Sequence, residues 1–324
     1  MNRNMESNNI QISIVIPLVN EEATLNELYR QISVTVDETG IAYEVIFVDD
    51  GSADNSFIVL SELYENNSNV KIIRFRRNFG KAAALQAGIA EAAGTTIITM
   101  DADLQDSPKE IPRFIAELEK GYDVVSGWKE KRYDPIHKTL PSRLFNWATK
   151  WVSGICIHDF NCGFKAYRRE VFDHVRLYGE LHRYIPVLAG WKGFRVGEIA
   201  VEHHARTTGQ SKYGIERLPK GLFDLMTIYV TRKYESRPLH IFGILGLLSG
   251  FLGISALAYL TVLWFLGMGP IGNRPLLFFG ILLTLFGGQL VSFGLLAEMI
   301  SKGESRHENP YVISAKLSKT GAEK

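Results

Sequence analysis

The sequence predicts an α/β protein with a mostly parallel sheet, followed by two helices that cross a membrane. The first observation is that β-rich runs alternate with helix-like segments over the first 126 residues. The second is that the apolar residues, 46% of all 324, concentrate near the C-terminus. The length exceeds the usual size of one domain, so two structural regions are expected. A polar globular part joined to a very apolar part explains the composition.

The predicted strands and helices follow one another in strict alternation. The strand-like runs are Ile12–Leu18, Tyr43–Val48, Lys71–Phe75, Thr95–Met100 and Asp123–Ser126. The helix-like segments between them are Glu21–Val36, Asn55–Glu65, Lys81–Ala93 and Pro108–Lys120. This order favours parallel strands joined by right-handed crossovers, and such sheets bind ligands at the carboxyl ends of their strands.

Polar side chains stand directly after the first four predicted strands. They are Asn20, Glu21 and Glu22, then Asp49, Asp50 and Ser52, then Arg76, Arg77 and Asn78, then Asp101, Asp103 and Gln105. The chain has neither a G-x-G-x-x-G turn after the first strand nor a G-x-x-x-x-G-K-[ST] loop, which disfavours nicotinamide binding and a phosphate-loop ATPase. The pattern therefore predicts a binding site of another kind at this edge of the sheet.

The Asp101-Ala-Asp103 pair indicates a site for a hard divalent cation. Carboxylate oxygens are the ligands that Mg²⁺ and Mn²⁺ prefer, and substrate phosphate oxygens commonly complete the shell. Such a cation stabilises the charge that develops on a departing diphosphate. Taken alone, the D-x-D spacing also occurs by chance in surface loops, so its position at a strand end carries the prediction.

The motifs resemble those of glycosyltransferase family two, within it the polyprenyl-phosphate glycosyltransferases related to dolichol-phosphate mannose synthase. They run in family order over about 200 residues, and the two-span C-terminus resembles the bacterial membrane-anchored branch. The matching segments are Ser13–Pro17, Asn20–Glu21, Val48–Ser52 with Asp54, Arg77–Lys81, Asp101–Asp106, Asn161–Lys165 and Arg206–Tyr213. The resemblance implies a GT-A fold, a nucleotide-diphosphate sugar donor, Mg²⁺ or Mn²⁺ as cofactor, and a lipid-phosphate acceptor.

The resemblance also implies roles for single residues. Those expected to hold the nucleotide sugar are Pro17, Glu21, Asp49, Asp50, Lys81, Asp101 and Asp103, and those expected to hold the metal are Asp101, Asp103 and Gln105. Val19 stands where the family often has an aromatic residue, so any base contact of such a ring is missing. For Asp49 and Asp50 a turn-capping role is the alternative, and Lys81 could simply open the following helix.

Basic residues are expected to receive the phosphate of the acceptor lipid. The expected set is Lys129, Arg132, Arg143, Arg206, Ser211 and Lys212, the last three in a loop that suits a clamp on phosphates. A patch attracted to anionic lipid, or a solvated loop, is the alternative. Asp159 lies where the family carries an acid often assigned as the base, so we group it with Asp101 and Asp103 as catalytic. A polyprenyl phosphate is already ionised at pH 7, so Asp159 is expected to position the nucleophile or a sugar hydroxyl.

Two uncharged runs predict a membrane anchor. Ile241–Leu266 and Pro275–Ala297 each exceed the roughly 20 residues that cross a bilayer, and only Arg274 interrupts them. Basic residues flank the pair at Arg232, Lys233, Arg237, Lys302 and Arg306. The positive-inside bias thus predicts an inner (plasma) membrane protein with both termini cytoplasmic, and no signal peptide is expected in the first ten residues.

Two further stretches have the composition of helices at a headgroup boundary, residues 140–155 and Leu218–Tyr229. For the first, an ordinary amphipathic helix on the globular part is an equal alternative. Cys156 and Cys162 make no disulfide framework, so a reducing compartment is expected.

The predicted organisation has four parts. Residues 1–215 form the cytoplasmic GT-A domain, 216–238 a juxtamembrane amphipathic helix, 239–300 the two-helix anchor and 301–324 a cytoplasmic tail. The predicted reaction is inverting transfer of one sugar, preferably glucose from UDP-glucose, to undecaprenyl phosphate. The net charge of +1 argues against nucleic acid as a partner, and small residues in the spans leave a homo-oligomer open.

Three other functions compete with this prediction. A processive polysaccharide synthase commonly has more spans and a Gln-x-x-Arg-Trp element, which this chain lacks. A non-catalytic membrane scaffold predicts the loss of the acidic residues at the strand ends, and they are present. A soluble nucleotidyltransferase has no use for membrane spans.

Overall fold

The computed structural model describes residues 10–130, 136–175, 181–204 and 239–304, except for the side chains of 136–144 and 301–304. By its internal contacts the chain divides into two compact units, residues 1–225 and 226–324. The strands of the first unit are β1 (Ile12–Leu18), β2 (Tyr43–Asp49), β3 (Val70–Arg74), β4 (Thr96–Thr99), β5 (Val124–Trp128), β6 (Lys165–Arg168) and β7 (Val196–Ala200). Its helices are α1 (Leu25–Asp37), α2 (Ser56–Asn66), α3 (Lys81–Glu91), α4 (Ile111–Glu119), α5 (Ile136–Ser153), α6 (Val171–His174) and α7 (Ile185–Trp191).

The seven strands form one mixed sheet in the order β3-β2-β1-β4-β6-β5-β7. Strands β1 to β4 pair in parallel, as do β5 and β7, while β6 runs antiparallel to both of its neighbours. The predicted mostly parallel α/β architecture is therefore confirmed. Because β1 to β4 share one direction, the loops that follow them emerge at a single edge of the sheet.

Side-chain alternation along the central strands buries both faces of the sheet. On β1, Ile14 and Ile16 enter one apolar core while Val15 enters the other, and on β2 Phe47 and Ile46 divide in the same way. Strands covered by helices on both faces read as continuous apolar runs, which is why they could be recognised in the sequence. The sheet is the rigid base from which the polar loops extend.

The predicted elements up to Ser126 match the observed ones to within a few residues, with one larger shift at α1. This helix begins at Leu25 rather than Glu21, because the backbone N–H of Glu21 is bound by Ser56 Oγ at 2.9 Å and Thr24 Oγ1 donates to the Glu21 carbonyl. The helix predicted in residues 140–155 is present as α5. Trp147 and Trp151 on it are 65% and 79% exposed. The stretch Leu218–Tyr229 lies outside the described residues.

Two long helices form the described part of the second unit, α8 (Leu239–Phe265) and α9 (Pro275–Glu304). By length and composition each could cross a membrane. They pack closely through small residues, since a Cβ added at Gly246 would lie 2.7 Å from the Gly287 carbonyl oxygen. Ser249 Oγ also donates to the Leu283 carbonyl at 2.9 Å. The small residues therefore serve packing within this chain.

Candidate active site

The loops that follow β1 and β2 are joined by hydrogen bonds between side-chain oxygens and backbone N–H groups. Ser52 Oγ accepts the N–H of Asn20 at 2.9 Å, and Asn20 Oδ1 accepts the N–H of Ala53 at 2.8 Å. Asn20 has a positive φ of 51°, a conformation that asparagine tolerates better than most residues. The polar residues after the first two strands thus lie together at one edge of the sheet.

Asp49 and Asp50 are buried, and both carboxylates hold the backbone of this edge in place. Asp49 Oδ1 accepts the N–H of Ser52 at 2.8 Å. Asp50 accepts the N–H groups of Phe79 at 2.7 Å and Gly80 at 2.9 Å, directly before α3. The turn-capping role that the sequence left open is thus what their contacts show, and their contact with a nucleoside stays a prediction.

The residues after β4 form a tight turn that presents two carboxylates. Leu104, between Asp103 and Gln105, has a φ of 58°, which is sterically costly for a leucine and is typical of functional turns. Asp103 Oδ1 accepts the N–H of Gln105 at 3.2 Å, which closes the turn. The Gln105 side-chain Nε2 lies 3.5 Å from the His204 carbonyl oxygen, and the contact of Gln105 with a metal stays a prediction.

Asp101 lies between a lysine and a glycine. The Lys81 ammonium at the start of α3 forms an ion pair with Asp101 Oδ1. A Cβ added at Gly163 would lie 2.7 and 2.8 Å from the two carboxylate oxygens, so only glycine lets the chain pass this close. The structure therefore brings Lys81 and Asp101 together, two residues that the sequence assigned to the nucleotide sugar.

The carboxylate pair fits a divalent cation. Burial, followed by the charges of Asp101 and Asp106, raises the pKa of Asp103 to about 6, so its charged form is unfavourable without a cation nearby. No group of three or more His, Cys, Asp or Glu side chains suited to a metal occurs in the part of the chain that the structure describes. Two carboxylates with open positions for substrate oxygens are the donor set that Mg²⁺ and Mn²⁺ use with phosphates.

Asp106 sits below this turn in a buried ion pair that the sequence did not reveal. Lys129 Nζ lies 2.8 Å from Asp106 Oδ1, and His203 Nδ1 lies 3.8 Å from the same oxygen. Burial alone would raise the pKa of Asp106, but Lys129 and His203 outweigh it and hold that pKa below its usual range. Lys129 was predicted to bind the acceptor phosphate. Because the charge of Lys129 is already paired with the buried Asp106 carboxylate, Lys129 is not among the residues proposed to bind the acceptor phosphate.

Asp159 is 1% exposed, and its carboxylate contacts its own loop and α5. Its Oδ1 accepts the N–H of Asn161 at 3.1 Å and lies 3.5 Å from Asn146 Nδ2. The Glu198 carboxylate on β7 accepts the backbone N–H of Asp159 at 3.0 Å and that of His158 at 2.8 and 2.9 Å. It also lies 2.7 Å from the ring Nδ1 of His158. These contacts show a carboxylate that shapes the loop, and its catalytic role stays a prediction.

The remaining predicted residues divide between the site and the undescribed parts of the chain. Pro17 is buried in β1, and Glu21 is half-buried at the edge of the sheet. Arg143 lies on α5, but its side chain is not described. The other four members of the predicted acceptor set lie outside the described residues, namely Arg132, Arg206, Ser211 and Lys212.

Sequence reasoning missed several polar residues around the site. Glu198 carried no signal, because nothing in the sequence indicates that β7 runs beside the Asp159 loop. Lys165 is the last residue of the Asn161–Lys165 motif, and the sequence indicates no role for it. His182 and Arg183 line a small pocket with Lys81 and Lys165, and they stand in no motif.

Comparison with known proteins assigns the sequence to a family. Residues 13–176 match the model described as Glycosyl transferase family 2. The chain is 39% identical over 299 residues to the dodecaprenyl-phosphate galacturonate synthase of Rhizobium johnstonii, covering 90% of this chain and 88% of that protein. It is 37% identical to the undecaprenyl-phosphate 4-deoxy-4-formamido-L-arabinose transferase of Pseudomonas fluorescens, covering 90% of this chain and 84% of the relative.

Solved structures resemble about two thirds of the chain. Glucosyl-3-phosphoglycerate synthase from Mycobacterium tuberculosis, solved with Mn²⁺ and UDP-glucose, superposes with a TM-score of 0.54 at 21% identity. The match covers 68% of this chain and 78% of that one. The same enzyme bound to UDP gives a TM-score of 0.54 at 22% identity. At this identity the likeness shows a shared fold.

Proposed function

Because the chain belongs to glycosyl transferase family 2, we propose that it transfers one sugar from a nucleotide sugar to a polyprenyl phosphate. The observation that carries the proposal is the 39% identity to a dodecaprenyl-phosphate galacturonate synthase along 90% of the chain. A second relative is named as acting on undecaprenyl phosphate with another sugar. A shared class of lipid-phosphate acceptor therefore has more support than the glucose that the sequence favoured.

The acceptor chemistry agrees with the composition of the second unit. A polyprenyl phosphate resides in a membrane, and helices α8 and α9 are each long and apolar enough to span one. Basic residues on the outer sides of the two spans favour an inner-membrane protein with both termini in the cytoplasm, where nucleotide sugars are available.

The residues at the sheet edge have complementary roles in the proposed reaction. Asp101 and Asp103 would hold Mg²⁺ or Mn²⁺, whose chemistry is to offset negative charge on the leaving nucleoside diphosphate. Lys81, at the start of α3 beside Asp101, would bind a phosphate oxygen of the donor. Asp49 and Asp50, whose carboxylates hold the backbone of the neighbouring loops, would keep those loops in place for Glu21 to bind the nucleoside. Asp159 would hold the loop that borders the sugar.

The acceptor supplies its own nucleophile. A phosphate monoester is largely ionised at pH 7, so its oxygen can attack the anomeric carbon without a protein base. The C–O bond to the acceptor forms as the bond to the nucleoside diphosphate breaks, and the anomeric configuration inverts. For this displacement the protein must orient the acceptor phosphate and the donor diphosphate, and it must offset the negative charge of the diphosphate that leaves.

A transfer assay on the purified full chain tests the proposal. The detergent-solubilised protein is incubated with radiolabelled UDP-sugars, a short polyprenyl phosphate and Mn²⁺, and the lipid extract is separated by chain length. We expect one sugar per lipid, no product without acceptor, and loss of product with EDTA. A ladder of products would indicate a processive synthase. No labelled lipid with any sugar of a broad panel would contradict the proposal.

A further inference from the structure

An exposed histidine stands beside Asp159, and its ring is held in one orientation. The His158 side chain is 58% exposed, whereas the Glu198 side chain that contacts it is 10% exposed. The Glu198 carboxylate lies 2.7 Å from the ring Nδ1 of His158, and because a carboxylate accepts, Nδ1 donates. The indole of Trp128, at the end of β5, stacks on the imidazole with ring centroids 4.4 Å apart and an interplanar angle of 21°. The imidazole is therefore fixed on one face and at one nitrogen.

The other ring nitrogen is open to a ligand. Within the part of the chain that the structure describes, Nε2 of His158 has no hydrogen-bond partner. The ring contact is not needed to satisfy Glu198, whose carboxylate already accepts the backbone N–H groups of His158 and Asp159. Ordering an exposed side chain costs conformational entropy, and an exposed ion pair returns little of that cost. A ring held in this way, with Nε2 directed away from Glu198, has the arrangement of a ligand-binding histidine.

The loop that carries His158, residues 154–164 between α5 and β6, also passes the Asp101 carboxylate. Gly163 lies against both oxygens of Asp101, and its carbonyl accepts the Thr99 hydroxyl at 2.9 Å. His158 comes five residues before Gly163, so the two lie at most about 18 Å apart. An in-line displacement places the acceptor on the opposite side of the anomeric carbon from the leaving diphosphate. One end of this loop is thus beside the proposed diphosphate site, and His158 is within reach of the acceptor.

The same loop is tied to a helix with the composition of a membrane interface. Asn146 Oδ1 on α5 accepts the N–H of Phe160 at 3.3 Å and the side-chain amide of Asn161 at 3.3 Å. Trp147 and Trp151 on this helix are exposed. Tryptophan is enriched at the level of the lipid headgroups. A lipid phosphate lies at that level, so its headgroup is the kind of acceptor that would meet the loop.

We propose that His158 binds the phosphate of the acceptor lipid through Nε2, and that Glu198 and Trp128 position its ring for this contact. The inference rests on the proposed function, because it takes a polyprenyl phosphate as the acceptor. An imidazole suits a phosphate monoester, since Nε2 accepts from a protonated phosphate oxygen when the ring is neutral and donates to an ionised oxygen when the ring is protonated. Lys129, the basic residue that the sequence favoured for this role, is instead paired with Asp106.

A hydroxyl of the donor sugar is the other group that Nε2 could contact. The two ligands predict different kinetic effects when Nε2 is removed. A contact with the lipid phosphate makes His158 determine the KM for the acceptor, whereas a contact with a sugar hydroxyl makes it determine the KM for the donor. A histidine that only shapes the loop would instead affect stability and kcat.

Steady-state kinetics of two ring variants test the contact. Asparagine places its amide near Nδ1 and loses Nε2, so His158→Asn should raise the KM for a short polyprenyl phosphate by about 10- to 100-fold. Glutamine places its amide near Nε2, so His158→Gln should retain part of the affinity. Neither variant should change the KM for the donor or the unfolding temperature appreciably. His174→Gln, at an exposed histidine on α6, is the matched control and should change neither KM.

A titration without turnover tests the same contact independently of transfer activity. The detergent-solubilised full chain, isotope-labelled in its histidine rings, is observed by NMR, and the His158 signals are those that either variant lacks. We expect these signals to shift on addition of a short polyprenyl phosphate in the absence of donor. Polyprenol and inorganic phosphate at the same concentration should leave them in place.

An acceptor KM that His158→Asn leaves unchanged would overturn the inference. So would an effect confined to the KM for the donor, which would place a sugar hydroxyl at Nε2, or an equal response of the ring to inorganic phosphate, which would indicate a general anion site. Failure of the proposed function is distinguishable from these results. A His158 signal that shifts only with polyprenyl phosphate, in a protein that transfers no sugar, would support the contact and refute the transfer.

Discussion

Replacing Asp103 by asparagine is expected to lower kcat/KM for sugar transfer by about 100- to 1000-fold while the protein stays folded. A cation that stabilises the charge of the leaving group contributes several kcal/mol to the transition state, and each 1.36 kcal/mol is a factor of ten in rate. The asparagine keeps the size of the side chain but loses the charge that binds a cation. The measurement is the initial rate of lipid glycosylation at saturating Mn²⁺.

The same change should leave the thermal unfolding temperature equal or slightly raised. Burial, followed by the charges of Asp101 and Asp106, makes the charged form of Asp103 unfavourable and raises its pKa, so removing the charge relieves that cost. Asp173→Asn, an exposed acid on α6, is the matched control and should alter neither rate nor stability. An Asp103→Asn enzyme that works within a factor of three of wild type would remove Asp103 from the catalytic machinery.

Replacing Lys129 by methionine is expected to destabilise the first unit by about 3 to 5 kcal/mol, because it leaves the carboxylate of Asp106 buried without its cation. Lys129 is 14% exposed and Asp106 0%, so water cannot compensate for the loss. For a unit of this size the unfolding temperature should fall on the order of 10 °C. The measurement is thermal unfolding of the detergent-solubilised chain, followed by circular dichroism.

A second substitution separates lost charge from lost packing. In Lys129→Met/Asp106→Asn neither charge remains, so most of the stability should return. Lys120→Met removes a lysine whose ion pair with Glu117 is exposed, and it should change the unfolding temperature little. If Lys129→Met were as stable as Lys120→Met, the buried ion pair would not support the turn that carries Asp101 and Asp103.

The sequence was most informative where structure follows from local apolar pattern. Strands β1 and β2 are buried on both faces and bounded by polar turns, so their limits could be predicted almost to the residue. Strand β6 could not be, because Lys165–Arg168 contains two basic residues and is held in the sheet by antiparallel pairing with β4 and β5. Such pairing between distant segments leaves no periodic signal.

In the candidate site, too, local sequence pattern predicted some residues, while others depend on contacts between distant segments. Asp101 and Asp103 could be placed because they directly follow a predicted strand. Lys129 was assigned to a lipid phosphate because it stands in a basic cluster, and only the fold shows that Asp106 neutralises it in the interior. His182 and Arg183 reach the pocket through chain segments with no motif, so their approach to Lys81 depends on tertiary structure alone.

The central claim is that Asp101 and Asp103 hold a cation for a nucleoside diphosphate. The most direct test is Mn²⁺ binding to the full chain, measured by electron paramagnetic resonance with and without UDP. We predict that UDP tightens Mn²⁺ binding in the wild-type protein and that Asp103→Asn abolishes this gain. An affinity for Mn²⁺ that changes neither on addition of UDP nor with the Asp103→Asn substitution would contradict the account.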